Sequence, residues 1–207
     1  MGLGSYHTAW AWLHKFRSAM ISPNREKLKG FIEVDEIFIG GEKSGKRGRG
    51  AEGKALVLVA VEKDGTRIGR ARLVYISDAS ALTLNQAIKQ TIELGSVLHT
   101  DGWAGYSTPQ LKKLGYEHIV VRKTPCLGDN LLPFANMIAS LLKRWLLGTL
   151  QGGIHATHLG YYLDEFTFRF NRRKSKSRGL LFYRLLQNAL DIAPRTEASF
   201  IGGRKPI

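Results

Sequence analysis

Three polar residues stand inside or at the ends of apolar runs, and their side chains suit the binding of a divalent cation. Asp35 lies within an apolar run that has the pattern of a β-strand, and Asp101 ends a second run, directly before a glycine. Asn136 opens a third apolar stretch. Burying a carboxylate is costly unless the group is paired or binds a cation. Two such carboxylates in a strongly basic protein therefore indicate a metal site that acts on a polyanion.

The chemistry that this pattern favours is the cleavage of a phosphodiester. If the strands that carry Asp35 and Asp101 pair, both carboxylates converge at one sheet edge and can hold two divalent ions about 3.5–4 Å apart. Such ions activate a water or hydroxyl and stabilise the leaving oxygen. Magnesium is favoured because the ligands are hard oxygens and exchangeable waters are retained. The alternative for Asp101 is an ordinary turn aspartate before a glycine.

The charge of the chain favours a nucleic acid as the polyanion. Its 207 residues include 31 Lys and Arg but only 17 Asp and Glu, which gives a formal net charge of +14. Such an excess is typical of proteins that bind nucleic acids. A ribosomal-type protein, or a merely soluble basic protein, is the alternative that charge alone leaves open.

Cysteine usage and hydropathy bear on the compartment. Cys126 is the only cysteine, so the chain has neither an intramolecular disulfide nor a zinc site built on its own cysteines. No apolar run approaches the length of a membrane span, and the first residues lack the pattern of a signal peptide. We therefore expect a soluble, cytoplasmic protein with no membrane partner.

The hydrophobic periodicity predicts an α/β domain whose strands position the polar residues. The order is three strands, a helix, a strand, a short helix, a strand and a long helix, followed by two further helices. The run 55–61 is almost wholly apolar, as expected for a central strand buried on both faces. The patterns predict strands at 31–39, 55–61, 68–76, 96–100 and 118–121, and helices at 8–20, 81–94, 109–114, 136–147, 158–170 and 179–191.

The two ends of the chain are predicted to lie outside the main domain. Thr8 is the expected N-cap of the first helix, and a Ser-Pro break after that helix acts as a linker. We predict a helical segment with its linker at 1–29, a main domain at 30–193 and a loose tail at 194–207. The apolar stripe predicted on the first helix consists of Trp10, Leu13, Phe16 and Met20.

Three basic segments are candidates for contact with phosphates. The loop 40–54 is rich in glycine and in basic residues, the helix that Asn136 opens has a basic tip, and the segment 164–178 interleaves phenylalanines with arginines and lysines. Such contacts position a nucleic acid without reading its sequence. The alternative is a solvated loop or a charged helix end. The predicted DNA-binding residues are Lys46, Arg47, Arg49, Lys143, Arg144, Arg169, Arg172, Arg173 and Lys174.

Four ordered motifs resemble a known family. They are VDEIFIGG at 34–41, TDGWAGY at 100–106, SLLKRWLLGT at 140–149 and YLDEFTFRFNRR at 162–173. Together they resemble the ISXO-like group of bacterial insertion-sequence transposases, and the resemblance covers roughly residues 5–190. It implies a DDE-type transposase with a ribonuclease-H-like core, which is a mixed five-stranded sheet flanked by helices.

The resemblance also implies roles for the three polar residues. Asp35 matches the first catalytic aspartate and Asp101 the second, and both would bind magnesium or manganese, as two ions. Asn136 occupies the third position, which is glutamate in many members and asparagine in others. Its carbonyl oxygen can bind a cation but adds no negative charge. The carboxylates that could replace it are Asp129, Asp164 and Glu165.

The implied activity is the metal-dependent cutting and joining of DNA strands at the ends of an insertion sequence. The implied partners are inverted-repeat ends and target DNA, on which such enzymes act as homo-oligomers. Fuller members carry an N-terminal zinc ribbon and a helix-turn-helix, and this chain has no cysteine pairs. A truncated, non-catalytic DNA-binding remnant is therefore the alternative expectation, and a ribonuclease-H-like nuclease without transposition is a third.

Overall fold

A computed structural model of the chain describes residues 4–22, 24–40, 54–122, 130–150 and 155–207. Every predicted helix and strand is present within a few residues of its expected bounds. The strands are β1 Phe31–Ile39, β2 Ala55–Asp64, β3 Arg67–Ile76, β4 Val97–Thr100 and β5 Glu117–Val120. The α-helices are α1 Tyr6–Ala19, α2 Ala81–Thr91, α3 Thr108–Lys113, α4 Pro133–Leu150, α5 Leu159–Asn171, α6 Arg178–Asp191 and α7 Ala198–Ile201.

The five strands form one mixed sheet in the order β3-β2-β1-β4-β5. β1 pairs antiparallel with β2, and β2 pairs antiparallel with β3. β4 pairs parallel with both β1 and β5. The sheet therefore has the mixed five-stranded arrangement that the sequence predicts. β2 is buried from Ala55 to Val61, which confirms its predicted place inside the sheet.

Helices cover both faces of the sheet. Successive residues of a strand point to opposite faces, and on β1 the buried Ile32 and Val34 belong to a core that includes Leu84 and Ile88 of α2. The odd-numbered residues of β1 point the other way, where α4 packs against β1 and β2. Asp35 thus points to the face that α4 covers.

Helix α4 begins three residues earlier and ends three residues later than predicted. Pro133 is its first residue, and proline suits that position because its missing N–H would have no helical partner there. Gly148 was the expected end, but it lies inside the helix. A glycine within a helix costs only about 1 kcal/mol relative to alanine, so the flanking residues continue the helix through it.

Contacts divide the chain into two units, Lys27–Ala156 with Pro206–Ile207, and Met1–Glu26 with Thr157–Lys205. The first unit holds the sheet with α2, α3 and α4, and the second holds α1 with α5, α6 and α7. The N-terminal helix thus groups with the C-terminal helices, a division that differs from the segments predicted from sequence.

The predicted N-cap of α1 was wrong, and its predicted apolar stripe was right only in part, because Trp10, Phe16 and Met20 are half-buried but Leu13 is not. The helix begins at Tyr6, and its N-cap is Ser5, whose Oγ accepts a hydrogen bond from the backbone N–H of Thr8 at 3.2 Å. Leu13 is 51% exposed. The helix instead packs against α5 and α6 through a smaller and more polar face, whose buried residues are Ala11, His14, Arg17, Ser18 and Ala19.

The C-terminal tail is not loose, because both of its parts make specific contacts. Phe200 of α7 is fully buried, and its ring lies 5.6 Å from that of Tyr161. In the sheet-containing unit, the backbone N–H of Ile207 donates to the carbonyl of Tyr75 at 3.0 Å, and its carbonyl accepts from the N–H of Ser77 at 2.8 Å. Apolar burial and backbone pairing with the end of β3 therefore hold the tail.

A buried histidine makes the stability of the second unit, which holds α1, α5, α6 and α7, depend on pH. His14 is fully buried, and its ring centroid lies 4.4 Å from that of Trp10 and 5.1 Å from that of Tyr161. Within the described part of the chain, neither ring nitrogen has a hydrogen-bond partner. Burial, and secondarily the charges of Arg17 and His158, lower the pKa of His14 to about 4.

The free energy of unfolding should fall as the pH drops from about 6.5 to about 4. In that window unfolded His14 binds a proton that the folded protein excludes, so protons favour unfolding. The loss should be on the order of 2–3 kcal/mol. His14→Phe should flatten this part of the pH dependence, as measured by urea unfolding at pH 7 and pH 5. An unchanged difference between the two pH values in this variant would contradict the assignment.

Candidate active site

The two predicted catalytic aspartates lie at the same end of two neighbouring parallel strands. In the β1–β4 pair, Phe31 stands opposite Val97 and Glu33 stands opposite His99. Continuing this register for two residues brings Asp101, just after β4, level with Asp35 of β1. Asp35 is half-buried and Asp101 is exposed. The strand pairing thus places the two residues that the sequence singles out at the same end of the sheet.

Asp101 also has the local role of a turn aspartate. Its Oδ1 accepts a hydrogen bond from the backbone N–H of Trp103 at 3.0 Å, which is an Asx-turn. Gly102 between them has a φ of +84°, and a Cβ there would lie 2.7 Å from Cγ1 of Val120. The turn that glycine permits therefore holds one carboxylate oxygen of Asp101.

A buried tyrosine fastens the turn after β4 to β1. Tyr106 is 4% exposed, and its hydroxyl donates a hydrogen bond to Oε2 of Glu36 at 2.8 Å. Burial raises the pKa of Tyr106 well above its usual value, and the charges of Glu36, Asp35 and Asp101 raise it further. The charges of three carboxylates thus act on a hydroxyl that stays protonated. A local excess of negative charge of this kind favours the binding of a cation.

His118 of β5 forms hydrogen bonds that fix the end of β4. Nε2 of His118 lies 2.9 Å from Oγ1 of Thr100, and its Nδ1 lies 2.7 Å from Oγ1 of Thr108 at the start of α3. Burial lowers the pKa of His118, so the ring is neutral and one nitrogen donates while the other accepts. Oγ1 of Thr100 also accepts from the N–H of Gly102 at 3.3 Å. This network sets the position of the residue between them, Asp101.

The helix that carries Asn136 begins against the same face of β1 as Asp35. Oε2 of Glu33 accepts hydrogen bonds from the backbone N–H groups of Phe134 at 2.8 Å and Ala135 at 3.0 Å. Asn136, the next residue, is exposed in the first turn of α4. Glu33 and Asp35 are two residues apart, so they lie on one face of the strand. The fold therefore brings the third predicted residue to the part of β1 that carries the first.

The side-chain amide of Asn136 is oriented by another asparagine. Its Nδ2 donates to Oδ1 of Asn130 at 2.7 Å. The donor end of the amide is used in this contact, and its carbonyl oxygen is the atom that could bind a cation.

Two of the three carboxylates that could replace Asn136 form ion pairs within the unit that holds α1, α5, α6 and α7. Asp164 is buried and pairs with Arg204, while Glu165 pairs with Arg17 at 2.9 Å and with Arg169 at 3.2 Å. Asp129 lies outside the described residues. Among the residues that the structure describes, no three His, Cys, Asp or Glu side chains form a group that could hold a metal. Besides carboxylates, an amide oxygen such as that of Asn136 is a ligand that magnesium accepts.

The predicted DNA-binding residues have different surroundings. Lys46, Arg47 and Arg49 lie outside the described residues. Lys143 and Arg144 of α4 are exposed, as is Lys174 after α5. Arg169 pairs with Glu165.

Two arginines of this set stack on aromatic rings. The guanidinium carbon of Arg172 lies 4.0 Å from the ring centroid of Phe168, and that of Arg173 lies 3.9 Å from that of Phe170. Nη1 of each arginine also donates to a backbone carbonyl, that of Phe168 at 3.5 Å and that of Phe170 at 3.0 Å, so stacking and hydrogen bonding together orient both guanidinium groups.

The sequence did not single out three residues whose hydrogen bonds position the site, namely Glu33, Tyr106 and His118. Glu33 could have been predicted from the sequence. It is a charged residue two positions from Asp35 in a buried strand, so it must face the same buried side of the sheet. Tyr106 and His118 could not have been predicted, since their partners are set by the pairing of distant strands.

Tyr106→Phe should reduce magnesium-dependent DNA nicking and lower the free energy of unfolding by about 1.5–3 kcal/mol, because the variant removes a hydrogen bond to a charged group. Tyr116→Phe is the matched control, since Tyr116 is also buried but donates to the carbonyl of Ile92 at 3.1 Å. It should lower stability without changing nicking by the folded protein. Equal nicking by the two variants would show that the Tyr106 bond does not support the site.

The model of the ISXO2-like transposase domain family matches residues 27–171, more than half of the chain. The chain belongs to this family. The match includes Asp35, Asp101 and Asn136, and the mixed sheet is the ribonuclease-H-like arrangement that the resemblance implies. The family indicates DNA transposition as the class of function and polynucleotide strand transfer as the general chemistry.

Solved structures that resemble the chain are distant in sequence. The catalytic core domain of BIV integrase is 15% identical, with a TM-score of 0.45, over 77% of this chain and 95% of that chain. The Mos1 strand transfer complex is 13% identical, with a TM-score of 0.30, over 86% of this chain and 62% of that chain. A search of curated protein sequences finds no significant match. Within the described ranges, no helix has both the length and the apolar character needed to cross a membrane.

Proposed function

We propose that this chain is a DNA transposase of an insertion sequence that cleaves phosphodiesters and transfers strands at the ends of its element. The observation that carries the proposal is the position of Asp35 and Asp101 at one end of adjacent parallel strands, in a chain of the ISXO2-like family. The start of α4, with Asn136, is bonded to the same strand face as Asp35.

Asp35, Asp101 and the carbonyl oxygen of Asn136 would hold magnesium or manganese, as two ions. When bound, these ions lower the pKa of an attacking water or hydroxyl and offset charge on the leaving oxygen. The half-buried Asp35 supplies a fixed ligand on the strand. Asp101 supplies an exposed one, whose position is set by the Asx-turn and by the Tyr106 bond. Asn136 adds an oxygen without adding negative charge to a site that must approach phosphates.

DNA would bind through basic residues of both units. The formal charge of +14 gives a favourable potential for phosphates at long range. The exposed Lys143, Arg144 and Lys174, the arginines stacked after α5, and the lysines and arginines of the loop 40–54 would contact the backbone. These contacts are independent of sequence, so the choice of inverted-repeat ends would need further contacts, and a homo-oligomer would hold two ends together.

The second candidate is a DNA-binding protein of the same family without catalysis. The observation that favours it is the amide at position 136 in place of the more common carboxylate, because a site with two carboxylates attracts divalent ions less strongly than one with three.

A nicking assay separates the two candidates. DNA that carries the ends of the element should be nicked in magnesium or manganese and left intact in EDTA, and joined products should follow when target DNA is added. Binding of the same DNA without any nicking in either metal would favour the second candidate.

A further inference from the structure

The buried carboxylate of Glu33 links β1 to the start of α4. Its side chain is 2% exposed, and Oε2 accepts from two successive backbone N–H groups of the helix, those of Phe134 and Ala135. Nζ of Lys63 lies 3.6 Å from Oε1 and offsets part of the buried charge. A carboxylate buried at this depth is retained only with such partners.

Neither of the two residues at the start of helix α4 has a side chain that could cap it. Its first residue is Pro133, which has no N–H, and the residue before it is Leu132, which has no side-chain acceptor. The first regular helical hydrogen bond runs from the N–H of Asn136 to the carbonyl of Leu132 at 2.9 Å. The two remaining N–H donors of the first turn have no helical partner, and Glu33 is the acceptor that both of them use.

Glu33 thus performs the task of an N-cap from a strand about a hundred residues earlier in the chain. An acceptor at these N–H groups stabilises a helix start, and its negative charge suits the positive end of the helix. Unlike a local cap, it also fixes where the helix begins relative to β1. That position matters because Asn136 is the next residue of α4, and Asp35 is two residues along the same strand face.

We propose that Glu33 is a positioning residue that sets the distance between Asn136 and Asp35, and so tunes the affinity of the site for its divalent ion. This proposal rests on the metal site put forward above. Groups that orient metal ligands typically change metal affinity or activity by about 10–100-fold when removed.

The test uses Mn²⁺ binding to the full chain, followed by the electron paramagnetic resonance signal of the free ion. Glu33→Ala should raise the dissociation constant for Mn²⁺ by about 10–100-fold and speed hydrogen exchange at the amides of Phe134 and Ala135. Glu33→Gln should stay close to the parent, because its carbonyl oxygen can accept both hydrogen bonds. If Glu33→Ala does not fold, Glu33→Asp withdraws the carboxylate by one methylene and should give an intermediate loss.

Glu62→Ala is the matched control. Glu62 is also a carboxylate that accepts two backbone N–H bonds, from Lys29 at 3.0 Å and Arg70 at 3.2 Å, but it has no contact with α4 among the described interactions. This variant should lose stability without losing Mn²⁺ affinity. Equal losses of Mn²⁺ affinity in the two variants would contradict the proposal, because they would show that Glu33 affects the site only through general stability.

A double-mutant cycle shows whether Glu33 acts through Asn136. Asn136→Ala alone should weaken Mn²⁺ binding, and adding Glu33→Ala to it should weaken binding little further. Additive losses would overturn the proposal. If the parent binds no Mn²⁺ and nicks no DNA, the metal site itself is wrong. If the parent binds Mn²⁺ and Glu33→Ala binds it equally well, only the role of Glu33 is wrong.

Discussion

Asp101→Asn should abolish magnesium-dependent nicking while leaving DNA binding intact or slightly tighter. The amide retains an oxygen that can accept the Trp103 N–H bond, so the turn survives. It removes one negative ligand, which weakens metal capture and the stabilisation of charge in the transition state, and the nicking rate should fall by at least about 100-fold. Binding should not suffer, because the lost charge repels phosphate when no metal is present.

Asp78→Asn is the matched control for this prediction. Oδ1 of Asp78 accepts from the backbone N–H of Ser80 at 2.8 Å, so it is also a turn aspartate bonded two residues ahead. Its substitution removes the same charge from a similar turn and should leave nicking unchanged. Equal nicking by the parent and by Asp101→Asn in magnesium would exclude Asp101 as a metal ligand.

Replacing Arg172, Arg173 and Lys174 together with alanine should weaken binding to all DNA sequences alike, by about tenfold or more. Each lost phosphate contact reduces the number of counterions released, so the dependence of log affinity on log salt should flatten by up to about 3. Binding isotherms on unrelated duplexes at several salt concentrations measure both quantities. Circular dichroism should confirm folding, since two of these side chains stack on phenylalanines.

A second triple variant controls for net charge. Lys89, Lys112 and Lys113 are exposed on α2 and α3, the helices on the face of the sheet opposite α4. Replacing them removes the same three charges from a different surface and should change affinity much less. If both triple variants lose affinity equally, the effect is one of net charge and the segment after α5 is not a specific DNA surface.

The strands could be predicted because the local pattern of apolar residues is enough to identify them. Alternation and continuous apolar runs located β1 at its exact bounds and β2 as a buried strand. Helix α1 shows where such reasoning fails. Its most apolar stripe included Leu13, yet Leu13 is half-exposed and His14 is buried, because a helix buries the face that its partners can accommodate. Those partners are α5 and α6, which come about 150 residues later and leave no trace in the local pattern.

The two carboxylates of the candidate site could be predicted from the sequence, but the residues that position them could not. Asp35 and Asp101 are unusual for their local surroundings, so sequence alone marks them. Asn136 could be singled out only by resemblance to the family, because an amide at a helix start is ordinary. The bonds from Tyr106 to Glu36 and from α4 to Glu33 join residues 70 or more positions apart, and only the register of the folded sheet brings them together.

The most direct test of the metal site is an anomalous difference map from crystals of the full chain soaked in Mn²⁺. We expect peaks within coordination distance of the carboxylates of Asp35 and Asp101, with the carbonyl oxygen of Asn136 turned towards them, and loss of these peaks in Asp101→Asn. A map with Mn²⁺ bound only elsewhere, at a concentration that supports full nicking, would contradict this expectation.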